Sequence, residues 1–376
     1  MKNYYIGIMS GTSLDGVDAV LCQISPEGKT QVLLHEEVPM DEKLRKSYFQ
    51  LQTPSDNEIH HEALAANALA HHYNLATQNI LKQAKLQHSD IVAIGAHGQT
   101  IRHQPGLHDG IGYTKQSLNA ALLAEVCGID VIADFRSRDI AAGGQGAPLV
   151  PAFHAAQFGN DAPTVILNIG GIANISILPN DSKQSIIGFD TGPGNALMDH
   201  WTLTHLNQSF DKNGTWANSG TIIPALLESF LSDDYFSKKA PKSTGRDLFN
   251  PSWLGHHLQK NAMENARPED IQATLLALTA KSIASHIQEY APTTQRVLIC
   301  GGGVKNTALL NLLKEYCSFI PTQNITSTES CGIDPQTVEA AAFAWLAWAH
   351  KTKQPANLPA VTGAKGLRIL GAIYPA

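Results

Sequence analysis

The sequence predicts an α/β protein of two related domains, each built on a mixed sheet that opens with a β-meander and is flanked by helices. Three observations lead there. The chain has 376 residues, more than twice the roughly 150 typical of one domain. Its opening third changes period: short apolar, β-branched runs closed by turn residues give way to helical spacing. Finally, the run Tyr5-Ile6-Gly7-Ile8-Met9-Ser10-Gly11-Thr12 has an echo in Val165-Ile166-Leu167-Asn168-Ile169-Gly170-Gly171-Ile172. Each reads as a strand, a glycine-containing turn and the start of another strand. A cleft between two such domains is the natural place for a ligand.

Each element follows from its residues. Tyr4–Met9, Val17–Ile24 and Gln31–Val38 are apolar runs separated by Ser10-Gly11 and Ser25-Pro26-Glu27-Gly28, hence three meandering strands. Glu58–Leu86 carries Ala, Leu, His and Gln at helical spacing and leads into a buried strand, Ile91–Gly95. Ser117–Cys127 is a helix, Asp130–Ala133 a strand, and Phe135–Gly146 a polar, glycine-rich loop. The second half repeats the order with strands Thr164–Asn168, Ile172–Leu178 and Ile186–Asp190. Pro268–Tyr290 is a long helix with Glu269 and Asp270 in its first turn, where they suit the helix dipole. Val297–Cys300 is a strand, Asn306–Tyr316 a helix, and Asp334–His350 an Ala- and Trp-rich helix buried on most sides. The domains are expected to divide as residues 1–135 with 356–376, and 136–355.

Composition excludes several classes. The formal net charge is −6, only 16% of residues are charged, and 43% are hydrophobic. With no basic excess, nucleic acid is not the principal partner, since such binding rests on phosphate neutralisation. The five cysteines are scattered and never form a C-x-x-C pair, which suits reduced cytosolic thiols and not a zinc ribbon or disulfide framework. No secretory segment opens the chain, and the apolar run Ala340–Ala349 is shorter than the ~20 residues a bilayer needs. A cytoplasmic protein with no membrane partner is expected.

Familiar motifs fail on inspection. Gly28-Lys29-Thr30 lacks the first P-loop glycine, which would fall at Gln23. His61-Glu62 starts an H-E-x-x-H whose last position is Ala65, so His60, His61, His71 and His72 read as helix-surface residues. Ser13 sits in Gly-Thr-Ser-Leu-Asp, which is not a nucleophile elbow. Asp190-Thr191-Gly192 has no second copy with which to share a proton.

Three glycine-rich turns remain: Ser10-Gly11-Thr12-Ser13-Leu14-Asp15-Gly16, Asn168-Ile169-Gly170-Gly171-Ile172-Ala173-Asn174, and Cys300-Gly301-Gly302-Gly303. Hydroxyls and backbone N–H groups there can cradle phosphate oxygens without a lysine, and glycine lets a flat nucleoside approach the backbone. Any one alone is commonly just a turn; together, in this order, they read as a nucleotide clamp. Gly192, Gly194 and Asn195 extend the set. Asp190, at a strand end before Gly192-Pro193-Gly194, is held by backbone and suits a general base; otherwise it caps the helix that follows, a job Asn195 can do itself. His97, Gly98, Gln99 and Thr100 form one polar strand-end loop, and Asp134 to Asp139 form another. Arg136 and Arg138 there can fork a carboxylate or form a surface network with Asp134 and Asp139. Glu339 opens an apolar helix, where a carboxylate needs a partner or a job, or simply meets the helix dipole.

Together Met9–Asp18, Gly95–Thr100, Asn168–Asn174, Gly188–Asn195 and Cys300–Asn306 resemble the motifs of the anhydro-N-acetylmuramic acid kinase family. Val361-Thr362-Gly363-Ala364 and Leu370-Gly371-Ala372-Ile373-Tyr374-Pro375 resemble that family's close, so the likeness spans essentially the whole chain. It implies a two-domain, actin-like ATPase fold of the sugar kinase, Hsp70 and actin type with its active site in the interdomain cleft. It further implies ATP, Mg²⁺, a homodimer, and 1,6-anhydro-N-acetylmuramic acid from peptidoglycan recycling as substrate. The family opens the anhydro ring with water and phosphorylates O6, giving N-acetylmuramic acid 6-phosphate and ADP.

Carried onto this chain, Asp190 is the base that activates water and Gly11 to Asp18 is the first phosphate loop. The turns at Gly170 and Gly301 hold the remaining phosphate and the nucleoside. Ser10, Gly11, Thr12, Ser13, Leu14, Asp15, Gly16 and Asp18 are thus nucleotide-binding candidates, with Asn168, Gly170, Gly171, Gly192, Gly194, Asn195, Gly301, Gly302 and Gly303. His97, Gly98, Gln99, Thr100, Arg136, Asn174 and Asp190 are the sugar-binding candidates, Asp190 and Glu339 the catalytic carboxylates, and Asp15 and Asp18 the carboxylates nearest a phosphate-bound Mg²⁺. Two other readings compete: a non-enzymatic, nucleotide-gated scaffold, and a glycoside hydrolase pairing Asp190 with Glu339.

Overall fold

The computed structural model describes residues 3–11, 14–159, 162–181, 183–245 and 247–376. They form two compact units, 1–157 with 337–376, and 158–336. No helix among the described residues is long and apolar enough to cross a membrane.

The first unit begins with β1 (Tyr4–Met9), β2 (Gly16–Ile24) and β3 (Thr30–Pro39), the expected meander. Helix α1 (Glu42–Gln50) is capped by the Asp41 side chain, which accepts from the Leu44 N–H. Helix α2 (Glu58–Ala84) buries Ala65, Leu69, Tyr73, Ala76 and Ile80, the stripe its spacing dictates. Next come β4 (Ile91–Ala96), the hairpin β5 (Gln99–Pro105) and β6 (Gly112–Ser117), α3 (Ala120–Cys127), β7 (Val131–Ala133), α4 (Ser137–Ala141) and α5 (Val150–Phe158). The hairpin lies where a polar loop was expected after His97. Its strands are largely polar, so no apolar alternation announces them. Similarly, α4 interrupts the expected loop 135–146.

In the second unit β8 (Thr164–Ile169), β9 (Ile172–Leu178) and β10 (Ile187–Pro193) form another meander. Helices α6 (Ala196–Leu206), α7 (Pro224–Leu231), α8 (Asp234–Ser237), α9 (Pro251–Lys260) and α10 (Pro268–Tyr290) follow. Strand β11 (Arg296–Cys300), helix α11 (Thr307–Tyr316) and strand β12 (Ile325–Ser327) complete it. The chain returns to the first unit through α12 (Val338–Lys351), α13 (Pro359–Thr362) and β13 (Ala372–Tyr374).

The two sheets share one strand order. In the first it is β13-β7-β4-β1-β2-β3 and in the second β10-β9-β8-β11-β12. Each has a central first strand with an antiparallel meander on one side and two parallel strands on the other; the first sheet adds β13 as an antiparallel edge strand. This is the duplicated α/β architecture that the echo between the halves foretold.

Residues 136–157 and 337–355, expected in the second domain, pack with the first. For α12 the packing is close. A Cβ at Gly7 of β1 would collide with the Ala340 carbonyl, and one at Gly95 of β4 with the Phe343 carbonyl. Helix α12 thus lies directly on the first sheet and buries eleven side chains, Trp345 and Trp348 included. The first core gathers Ile6, Ile8, Leu69, Tyr73, Ile94 and Leu123; the second gathers Val165, Leu167, Phe189, Leu226, Leu275 and Ile299.

Candidate active site

In the second unit the glycine turns converge. Asn195 N–H donates to the Gly170 carbonyl at 2.8 Å, while Gly194 and Ala196 donate to Gly171 at 2.9 and 3.1 Å. The Asn195 side chain donates to the Ile169 carbonyl at 3.2 Å and makes no cap bond to α6, so the expected capping role is replaced by a clamp between loops. Gly301 has φ +81°, and a Cβ there would meet Asn168 Oδ1, as one at Gly194 would meet the Gly170 carbonyl. A Cβ on Gly303 would strike Ile169. These positions admit only glycine without rearrangement. A cavity of about 470 Å³ adjoins the Gly301–Gly303 turn, lined by Ile299, Val304, Leu310 and Ile325 with Glu329 and Gln336.

Asp190 sits within β10, opposite Asn174 of β9, and the register shifts between Asp190 and Gly192. Such bulges re-aim side chains and gather beside functional sites. Asp190 Oδ2 accepts from Thr244 N–H at 2.9 Å; it does not cap α6. Its N–H donates to the Lys242 carbonyl at 3.1 Å, and its carbonyl accepts from the Tyr235 hydroxyl at 2.7 Å. The Lys242 ammonium donates to the Tyr235 and Phe236 carbonyls at 3.0 and 3.2 Å. Burial pushes the Asp190 carboxyl up to about 6, against the opposing Thr244 hydrogen bond. Sequence reasoning missed residues 235–244 because they hold Asp190 largely through backbone groups. The one available signal was the turn-rich Ala240-Pro241-Lys242-Ser243-Thr244-Gly245.

In the first unit the turn after β1 works through side chains. Ser10 Oγ lies 3.0 Å from the Tyr73 hydroxyl and donates to the Gly98 carbonyl at 3.3 Å. Gln99 donates to the Gly11 carbonyl at 3.1 Å, while its own Oε1 is buried and has no hydrogen-bond partner among the described residues. Leu14 adopts φ +59°, and its N–H closes the turn on Gly11 at 3.2 Å. Thr12 and Ser13 lie outside the described residues. Asp15 is exposed at the end of this loop, ahead of Gly16 at the start of β2. Asp18 Oδ1 is 2.9 Å from His35 Nε2.

Arg136 is half-buried beside this turn. Its Nε and one terminal nitrogen reach His97 Nε2 at 3.2 and 2.9 Å, and its other terminal nitrogen donates to the Gly146 carbonyl at 2.9 Å. Burial lowers the guanidinium to about 10, and the charge of Glu339, in the first turn of α12, opposes that shift. Burial and then Arg136 hold His97 well below its ordinary range, so it is neutral and accepts from Arg136. The surface network expected among Arg136, Arg138, Asp134 and Asp139 is not what forms. Arg136 turns inward, and Asp139 is buried on other partners, Gly146 N–H, Asn357 and Thr362. Thr100 pairs with Gln116 across the β5–β6 hairpin.

Among the described residues no three His, Cys, Asp or Glu side chains group as a metal site. Magnesium in phosphoryl transfer needs only one or two carboxylates beside phosphate oxygens, and Asp15 and Asp18 are hard-oxygen donors of that kind.

The model of the family described as anhydro-N-acetylmuramic acid kinase matches residues 3–376. A relative of that name from Cupriavidus pinatubonensis is 54% identical over 372 residues, covering 99% of this chain and 98% of its own. Another from Ralstonia nicotianae is 53% identical over 377 residues, covering 99% and 97%. Among solved structures, the activator of the 2-hydroxyisocaproyl-CoA dehydratase from Clostridium difficile with bound ADPNP is similar at 14% identity. Its TM-score is 0.47, with coverage of 93% and 96%. With matching residues running through both units and every glycine turn, the chain belongs to the anhydro-N-acetylmuramic acid kinase family.

Proposed function

We infer that the chain is an ATP-dependent kinase of 1,6-anhydro-N-acetylmuramic acid in peptidoglycan recycling. Water opens the anhydro ring at the anomeric carbon, O6 attacks the γ-phosphate, and N-acetylmuramic acid 6-phosphate and ADP leave. Beyond family membership, one observation carries the catalytic part: Asp190 is half-buried, aimed by a bulge and by Thr244, and its carboxyl is pushed up to about 6. A general base works best with a pKa near the working pH. Ionised above that value, Asp190 takes a proton from the attacking water.

The glycine turns at Gly170–Gly171 and Gly301–Gly303 let phosphate oxygens approach the backbone closely, and the adjoining cavity suits the nucleoside. His97, Gln99 and Arg136 suit the sugar and its carboxylate, with Asn174 opposite Asp190. Glu339 serves as the counter-charge to Arg136; acting with Asp190 as a hydrolase pair would leave the glycine turns without a task. Asp15 and Asp18 would hold Mg²⁺, which neutralises phosphate charge during transfer. A non-enzymatic scaffold would have no use for a tuned carboxylate. We take the protein to be a cytoplasmic homodimer, which light scattering on the purified chain tests.

The deciding experiment follows ³¹P in ATP with and without the anhydro-sugar. Sugar-dependent formation of a sugar phosphate is expected. Sugar cleavage without ATP, or ATP hydrolysis indifferent to sugar, would overturn the assignment.

A further inference from the structure

Asp139 is a carboxylate with no exposed surface, outside the chemistry described above. Its Oδ1 accepts from Thr362 Oγ1 and from Asn357 Nδ2, both at 2.8 Å, and its Oδ2 accepts from Gly146 N–H at 2.8 Å. All three partners are donors, which explains the acid. An asparagine would turn its own NH₂ toward one of them and leave that donor unmet, a costly arrangement inside a protein. Gly146 is the link onward. Its N–H is fixed by Asp139 and its carbonyl receives Arg136. Its φ of +68° and the nearness of Ile140 leave no room for a side chain.

The other side of the clamp is rigid as well. Gln145 N–H donates to the Thr362 carbonyl at 2.7 Å, and Lys365 N–H to Ala142 at 2.8 Å. Asn357 Oδ1 accepts from Arg368 N–H at 2.6 Å. The motif Val361-Thr362-Gly363-Ala364, which the reaction itself does not use, is part of this scaffold.

We propose that Asp139 and Thr362 are positioning residues for Arg136: through Gly146 they set the angle at which the guanidinium meets His97 and the acidic sugar. The idea rests on the reading of Arg136 as a sugar-binding group. Loss of one buried, charge-assisted donor should misplace the guanidinium without touching the nucleotide turns.

The test is steady-state kinetics of the full chain with Thr362→Val, Asp139→Asn, Arg136→Ala and the Thr362→Val/Arg136→Ala double variant. Thr362→Val is nearly isosteric, and it carries the test alone if Asp139→Asn does not fold. Thr362→Val should raise the sugar KM about tenfold while the ATP KM and kcat stay within about threefold. A general loss of stability would instead lower the active fraction, and with it kcat. The double variant should be no worse than Arg136→Ala. If Arg136→Ala leaves the sugar KM unchanged, the reading of Arg136 fails and takes this proposal with it. If Arg136→Ala raises that KM while Thr362→Val does not, or if the two effects add in full, the positioning role alone is overturned.

Discussion

The two units share a strand order but equip the first turn in opposite ways. In the second unit the turn after β8 is held by backbone groups of Gly170, Gly171, Gly194 and Asn195, with Gly194 packed too closely on the Gly170 carbonyl for any side chain. In the first, the turn after β1 is surrounded by Ser10, Tyr73, Gln99, His97 and Arg136, bonded chiefly through side chains. A duplicated scaffold has thus been given two chemistries. On the proposed function, the glycine-built turns take the phosphates, which every nucleotide offers alike, while the Arg136–His97 pair distinguishes one acidic sugar from another.

Perturbing each unit separately can break that comparison. The largest effect is expected from Asp190→Asn, which should bind both substrates yet lose at least about 10²-fold in turnover, the scale of general-base catalysis. A near-normal kcat would remove Asp190 from the role. Next, Gly301→Ala should raise the ATP KM by about tenfold, since a left-handed φ and contact with Asn168 both oppose a Cβ. An equal rise in the sugar KM would mean the division of labour is wrong.

The pH profile sharpens the point further. With Asp190 titrating near 6, kcat/KM should fall about tenfold per unit below that pH and level off above it. His97, held neutral, should add no second limb in that range. The smallest effect is on stability. Burial raises Asp190 above its ordinary 3.8, so its favourable contribution is complete below 3.8 and is lost as pH rises through about 6. Asp190→Asn never charges. Its Tm relative to the parent should therefore climb across that window, which scanning calorimetry at several pH values can follow.

Much of this organisation was legible in the residues. Tyr4–Met9, Ile172–Leu178 and Pro268–Tyr290 have the bounds their apolar runs and turn residues dictate. The glycine turns were visible because backbone geometry leaves a mark on composition. What stayed hidden lacks such a mark. The β5–β6 hairpin is polar along most of its length, so no period betrays it. The grip of residues 235–244 on Asp190 runs largely through amides and carbonyls that any sequence supplies. The inward turn of Arg136 depends on the charge of Glu339 and, through Gly146, on residues 357–366, far away in sequence. Helix α12 was recognisable as buried, but which sheet it covers depends on Gly7 and Gly95, more than two hundred positions earlier.

That last packing has a consequence for how the molecule is made. The second unit, 158–336, is continuous, but the first is split. On a ribosome the opening 157 residues emerge first yet cannot complete their core until α12 arrives to cover β1 and β4. The later-made unit has all its strands in hand sooner. A nascent chain halted near residue 336 should therefore yield a protease-resistant fragment from the second unit alone, while the older segment waits, open to chaperones, for the helix that closes it.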